Sequence, residues 1–264
     1  MNGEEMQDLK VTLIQANLYW EEKENNFEMF NRGIDSIGDK SDLLILPEMF
    51  STGFSMCPDR LFHTMDGKAV NWMKEKARLI DTDITGSLII KEEEKYYNRL
   101  IWVKPDGSLF YYDKKHLFRY AGEDEVYTAG SSAITVELKG WKIKPFICYD
   151  LRFPLWTRNL DKEYDLAIFV ANWPERRSEH WKALLKARAI ENQCYVIGVN
   201  RVGVDGNKIS HSGDSSIIDP TGTVVESVSD DATIIHSKLS MEHLTSYREQ
   251  FPAWMDGDVD LVKK

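Results

Sequence analysis

Three residue types spread along this chain can together break an amide bond: a thiol nucleophile, a carboxylate that moves protons and an ammonium that holds an oxyanion. Cys148 ends the β-prone run Trp141 to Ile147 and precedes the polar, bent segment Tyr149-Asp150-Leu151-Arg152-Phe153-Pro154. A thiol at such a junction can stand at a pocket mouth, with backbone N–H groups free to hold an anion. Glu48 follows the apolar run Leu43 to Leu46 and Pro47. A carboxylate at the end of a buried strand is partly desolvated, which raises its proton affinity and suits a general base. Lys114 and Lys115 follow Ser108 to Asp113 and precede His116-Leu117-Phe118, which turns one ammonium inward, where it stabilises thiolate or oxyanion, and leaves the other in water. Taken singly, each has a plain structural explanation as a small buried cysteine, a loop acid or a solvated lysine pair.

The elements that must position these groups follow from periodicity. Val11 to Leu18 is a strand, and Glu21 to Ile37 is a helix with Phe27, Phe30, Ile34 and Ile37 on one stripe. Asp42 to Leu46 is a buried strand, a helix follows with Val70, Met73, Ala77 and Ile80 at helical spacing, and Ile84 to Ile90 is the next strand. Hairpins are expected where Asn98 to Lys104 and Ser108 to Asp113 flank Pro105-Asp106-Gly107, and where Ala133 to Leu138 and Trp141 to Ile147 flank Lys139-Gly140. Beyond Cys148 come a strand (Asp165 to Ala171), a helix (Glu179 to Gln193), a strand (Cys194 to Val199) and a hairpin turning at Asp219-Pro220-Thr221-Gly222. Mixed strands covered by helices on one face and by a second sheet on the other make a layered α/β sandwich, although periodicity does not fix the strand order.

Composition excludes several function classes. The 264 residues, 42% hydrophobic, suffice for one sizeable core, and no repeat or low-complexity linker divides them. Lys plus Arg number 33 against 43 Asp plus Glu, a net charge of −10, and no dense basic block occurs, so nucleic acid and anionic membrane are disfavoured as partners. No apolar run approaches the roughly 20 residues of a bilayer span, and Met1 to Lys10 is acidic and polar rather than signal-like, so a cytoplasmic location is expected. Cys57, Cys148 and Cys194 are too few and too scattered for a disulfide framework or a structural zinc site, and neither metal nor cofactor is expected.

The segments Leu46-Pro47-Glu48-Met49-Phe50, Tyr112-Asp113-Lys114-Lys115-His116-Leu117-Phe118 and Phe146-Ile147-Cys148-Tyr149-Asp150-Leu151-Arg152-Phe153-Pro154 occur in this order, each at a strand end. The triple resembles the Glu-Lys-Cys signature of the nitrilase superfamily of carbon–nitrogen hydrolases. Ala171-Asn172-Trp173-Pro174, the helix Trp181 to Gln193, Val199-Asn200-Arg201-Val202-Gly203, Gly213-Asp214-Ser215-Ser216 and Asp219 to Gly222 look like further segments of that family, so the likeness spans about Lys10 to Leu261 as one domain. It implies a four-layer α-β-β-α sandwich and a homodimer, with the segment near Trp156 and the C-terminal tail as candidate contacts. The Lys-x-His-Leu-Phe spacing selects Lys114, and a second glutamate ahead of Gly130 falls on Glu123, with Glu125 as the alternative.

By the same resemblance, Glu48 takes the proton of Cys148, and the thiolate attacks the amide carbon. Lys114 and the backbone N–H of Tyr149 hold the oxyanion, and Glu123 orients Lys114. The tail Phe251-Pro252-Ala253-Trp254-Met255-Asp256, together with Leu151-Arg152-Phe153-Pro154 and Phe118-Arg119, is most similar to the bacterial ω-amidase subgroup, which implies 2-oxoglutaramate, 2-oxosuccinamate and similar monoamides as substrates. Their remote carboxylate calls for a cation, for which Arg152, Arg176, Arg177 and Arg201 are candidates, Arg152 foremost; Phe54, Tyr120 and Trp173 are expected in the pocket wall. Alternatives are an N-carbamoyl amino acid or N-carbamoylputrescine amidohydrolase, and a non-catalytic relative that binds a metabolite or a protein. A papain-like protease is disfavoured, because His116, His180 and His211 sit in no matching motif.

Overall fold

Every residue of the strand Leu166–Ala171 is buried, and its side chains divide between two cores. Leu166, Ile168 and Val170 join one apolar cluster, Ala167, Phe169 and Ala171 another. A structure of period two does this only when both faces of its sheet are covered, which is why the sequence there reads as an unbroken apolar run. The computed structural model describes residues 7–38 and 41–257; residues 258–261 of the expected domain lie outside the described residues.

The first sheet contains β1 (Leu9–Gln15), β2 (Leu43–Ile45), β3 (Asp83–Glu92), β4 (Lys95–Val103) and β5 (Leu109–Asp113). The second contains β6 (Val136–Leu138), β7 (Trp141–Ile147), β8 (Leu166–Ala171), β9 (Tyr195–Asn200), β10 (Val202–Val204), β11 (Ser210–Ile218) and β12 (Val224–Ser229). The chain then returns to the first sheet, where β13 (Thr233–Leu239) pairs antiparallel with β1 from Leu9↔Leu239 to Gln15↔Thr233. The resulting orders are β13-β1-β2-β3-β4-β5 and β10-β11-β9-β8-β7-β6, with β12 on β11. The helices are α1 (Lys23–Asp35), α2 (Pro58–Leu61), α3 (Lys68–Ile80), α4 (Glu123–Val126), α5 (Ser178–Asn192) and α6 (Met241–Gln250).

Three apolar clusters separate four layers. Phe27, Phe30, Val70 and Met73 of α1 and α3 pack on Leu44, Ile84 and Ile101 of the first sheet and on Leu46 just beyond β2. Leu43, Ile45 and Trp102 of that sheet meet Ile143, Ile168 and Val199 of the second. Trp181, Leu185 and Ala189 of α5 cover the far side of the second sheet against Phe146, Phe169 and Val196. The expected α-β-β-α sandwich is thus present.

Within each sheet the central strands are parallel, β1 with β2 with β3 and β7 with β8 with β9. Two antiparallel steps, β3 to β4 to β5, bring β5 back to the direction of β3. The chain therefore leaves β2 and β5 at the same end of the first sheet. The Lys139-Gly140 hairpin is a two-residue turn with Leu138 paired to Trp141, and both turn residues have positive φ, 50° and 81°, the geometry that matches strand twist.

Several expected boundaries shift: β4 begins at Lys95 instead of Asn98, β6 at Val136 instead of Ala133, and the first helix ends at Asp35 instead of Ile37. The first strand stops at Gln15 instead of Leu18, because the Asn26 side chain satisfies the Tyr19 N–H and C=O and holds that stretch as a loop. The first helix starts at Lys23 instead of Glu21, which has φ 58°.

Gly198, on β9 beneath α5, shows how closely these layers meet: a Cβ there would lie 2.5 Å from Leu185 Cδ1 and 2.6 Å from Trp181 Cζ2. Gly198→Ala should cost about 2 kcal/mol and lower the melting temperature by about 4–8 °C. Thermal denaturation checks this, and in a double-mutant cycle Leu185→Ala should cost less in the Gly198→Ala background than alone.

Candidate active site

Glu48 lies three residues beyond β2, on a turn pinned to β3 by Leu46 N–H to Thr85 O (2.7 Å), Met49 N–H to Ser87 Oγ (2.8 Å) and Phe50 N–H to Ser87 O (3.1 Å). Lys114 directly follows β5; its N–H donates to Asn98 O and its C=O accepts from Gly130 N–H, both at 2.9 Å. Glu123 opens α4 and accepts from Phe118 N–H. All three side chains are fully buried.

They meet in one cluster. Lys114 Nζ donates to Glu48 Oε1 (2.9 Å) and to both oxygens of Glu123 (2.9 and 2.8 Å). Asn98 Nδ2 donates to Glu48 Oε1 (2.8 Å) and Glu123 Oε1 (3.2 Å), and its Oδ1 accepts from Ser87 Oγ (2.8 Å). The other Glu48 oxygen accepts from Asn172 N–H (2.8 Å), while Asn172 Nδ2 donates to Glu48 O (2.6 Å). Asn172 follows β8, so this contact joins the two sheets.

Two carboxylates share one fully buried ammonium here. Burial, then the charge of Glu48, raise the proton affinity of Glu123 against the opposing pull of Lys114. Burial alone would lower Lys114, but Glu123 and Glu48 more than reverse it, so the ammonium stays charged. Burial and the charge of Glu48 push the Cys148 thiol well above its ordinary range, with Lys114 and the Asn172 N–H opposing. The resting group is a thiol, and its ionisation requires a nearby base. Cys148 also has φ 44°, a left-handed conformation that is strained for a residue with a Cβ; it marks the sharp change from β7 to the short 3₁₀ turn Cys148–Arg152.

Glu48, Lys114 and Cys148 all line a cavity of about 470 Å³. Phe54, Tyr149, Arg152 and Trp173 line it too, and Tyr120, 77% exposed, stands at its mouth. Glu123 sits behind Lys114, outside the lining. Lys115 turns away from the cluster, its ammonium over the Trp156 ring, and Glu125 is exposed. Of the four arginine candidates, Arg152, Arg176 and Arg177 border the cavity. Arg201 does not: its buried guanidinium donates to Val202 O, Asn17 Oδ1 and Leu18 O, which makes it a tie between loops.

Sequence reasoning did not single out Asn98, Asn172 or Asp150. Asn98 is a polar residue entering the apolar run Leu100 to Val103, and Asn172 directly follows the run Leu166 to Ala171. The strand-end criterion that found Glu48 and Cys148 applies equally to Asn172.

The sequence profile of the carbon–nitrogen hydrolase family matches residues 10–249. The chain is 48% identical to the omega-amidase YafV of Escherichia coli over 254 residues, 96% of this chain and 98% of that protein. It is 31% identical to the 2-oxoglutaramate amidase of Bacillus subtilis over 255 residues, 95% of this chain and 98% of that protein. Among solved structures, a CN-hydrolase superfamily protein of Xanthomonas campestris with an arsenic adduct in its active site is similar at a TM-score of 0.94 and 42% identity, over 96% of this chain and 98% of that one.

Removing the ammonium tests the charge cluster. Lys114→Met leaves two buried carboxylates facing each other, and should destabilise the protein by about 3–5 kcal/mol at pH 8. The folded-state proton affinity of Glu123 is already raised and rises further without Lys114. The folded variant then holds a proton that the unfolded chain, with an ordinary glutamate near pH 4.3, releases, so its stability falls as pH rises through that window. Urea midpoints relative to the unsubstituted protein should therefore show a smaller deficit at pH 5 than at pH 8; equal deficits would contradict the reading.

Proposed function

The chain belongs to the carbon–nitrogen hydrolase family of the nitrilase superfamily and is an amidase, and we propose that it is an ω-amidase releasing ammonia from the terminal amide of small dicarboxylic or 2-oxo acid monoamides. The observation that carries this reading is the buried Glu48–Lys114–Glu123 cluster beside Cys148 in one cavity. Kinship supports it, since relatives named omega-amidase and 2-oxoglutaramate amidase align along nearly their whole lengths. We take residues 10–261 as one catalytic domain.

In the proposed reaction Glu48 accepts the Cys148 proton as sulfur attacks the amide carbon. The oxyanion rests on Lys114 and on the Tyr149 N–H, which lies in the first turn of a helix and so has no acceptor within it. Glu48 passes its proton to the amide nitrogen, ammonia leaves, and a thioester remains on Cys148. Glu48 then takes a proton from water, hydroxide attacks the thioester, and collapse returns the acid and the thiol. Glu123 keeps the Lys114 ammonium in place and, through its charge, sets how readily Glu48 exchanges a proton.

A substrate acid is favoured by three arginines that border the same cavity. Arg152, Arg176 and Arg177 have their guanidinium carbons 4.7, 5.8 and 5.3 Å from the ring centres of Trp173, Tyr120 and Phe118. None of the three pairs with a carboxylate among the described residues. Burial, with Arg176 and Arg152 nearby, pulls Arg177 below its ordinary range. A substrate carboxylate relieves that crowding, whereas a cationic N-carbamoylputrescine adds to it. The reading includes a homodimer, supported by the large exposed side chains Leu155, Phe251 and Met255 near Trp156 and in the tail.

Cys148→Ala should fold and hydrolyse neither succinamate nor 2-oxoglutaramate, and ammonia release at the unsubstituted rate would refute the mechanism. Arg177→Met should raise KM for succinamate about 10–100-fold, the worth of a charge-assisted contact, and leave hydrolysis of butyramide unchanged. Preference for N-carbamoyl amino acids over succinamate in the unsubstituted enzyme would overturn the assignment of substrate.

A further inference from the structure

Lys114 extends from the first sheet and Cys148 from the second, so their separation depends on what ties the sheets at this end. Asp150, two residues beyond Cys148, is fully buried and forms such a tie. Its Oδ1 accepts from the His116 backbone N–H (3.0 Å) and from His116 Nδ1 (2.8 Å). Its Oδ2 accepts from the Tyr112 hydroxyl (2.7 Å) and the Ile147 backbone N–H (3.1 Å). Tyr112 and His116 bracket Lys114, and Ile147 and Asp150 bracket Cys148. The Tyr112 oxygen in turn accepts from Trp156 Nε1 (3.0 Å) and Lys115 N–H (3.1 Å), and the His116 ring stacks on Phe153 with centroids 3.7 Å apart.

Neither Asp150, Tyr112 nor His116 lines the cavity. Two backbone N–H groups and the Tyr112 hydroxyl donate to this one carboxylate, and His116 Nδ1 adds a fourth donor in the tautomer that carries its proton there. Glu48 and Glu123, which hold the Lys114 ammonium, lie on the turn after β2 and at the start of α4, and Glu48 is tied to the second sheet through Asn172; the Asp150 contacts add a separate tie at the strand end that carries Lys114 itself.

We propose that Asp150 is a positioning residue that sets the Lys114 ammonium against the Cys148 sulfur, acting through His116 and Tyr112. This rests on the amidase reading of the site. Asp150→Asn turns an amide NH₂ toward one of the two donor pairs, and the loops must separate there. The ammonium then withdraws from thiolate and oxyanion, whereas Arg176 and Arg177, on the separate turn Glu175–Arg177, keep their places.

For Asp150→Asn, kcat on succinamate should fall about 100-fold with KM little changed, because misplacement near the chemistry is costly while binding of the acid is untouched. The charged groups around the Cys148 sulfur are Glu48, Lys114 and Glu123, with Arg177 beyond. With Lys114 withdrawn, iodoacetamide alkylation of Cys148, followed by peptide mass, should shift to higher pH. General loosening would instead raise KM and speed alkylation at every pH. His116→Ala removes one donor and should show the same pattern at about tenfold; it decides the matter if Asp150→Asn does not unfold cooperatively. Unchanged kcat in both variants, or faster alkylation with raised KM, would overturn the proposal. An unsubstituted protein inactive on every amide would refute the functional reading instead, and the alkylation shift would still report on the tie.

Discussion

A fully buried ammonium between two carboxylates constrains this molecule more than any other feature. Charges removed from water are tolerated only when each has partners of good geometry, and here the partners come from separated parts of the chain. Asn98 from β4, itself held by Ser87 of β3, the Phe118 N–H from the loop before α4 and the Asn172 N–H from beyond β8 complete the shell of Glu48 and Glu123. A register slip of one residue in β4 would turn Asn98 to the opposite face and leave the cluster unsatisfied. The sheet pairing and the site therefore specify each other.

The same cluster explains why a cysteine can be held in reserve. With the thiol raised by burial and by Glu48, and Lys114 opposing, small movements of one ammonium change its readiness to ionise. The sheets are stitched at this end by contacts on either side of the cavity, Asn172 to Glu48 and Asp150 to His116 and Tyr112. Such contacts hold a strained residue like Cys148 in place, because backbone strain persists only where its surroundings over-determine it.

Strands covered on both faces announce themselves as apolar runs, so β2, β7, β8 and β9 were legible, and Glu48 and Cys148 with them as polar residues at their ends. β13 and α6 were not. Thr233, His236, Ser237 and Lys238 break the pattern because β13 is the sheet edge, and Leu244 and Arg248 are the only buried residues in α6. No local signal separates Lys114 from Lys115 or Glu123 from Glu125: the family spacing chose between them, and the difference lies in burial created by contacts far along the chain. Arg201 could not be told from the other three arginines for the same reason, since besides the neighbouring Val202 O its guanidinium is held by Leu18 and Asn17, far along the chain.

Chemistry and selectivity rest on different supports. The charged cluster and the thiol are fixed to strand ends by hydrogen bonds between sheets. Two of the three arginines bordering the cavity come from the 3₁₀ turn Glu175–Arg177, which is anchored by Trp173 Nε1 donating to Arg177 O at 2.8 Å. Trp173 in turn packs on Trp181 of α5, its ring centre 5.4 Å away. Residues on that turn can change without disturbing a donor or acceptor of the buried charges. Under the proposed reaction, such an architecture would let one set of groups around Cys148 serve different acyl chains, with the arginine-bearing turn selecting among them.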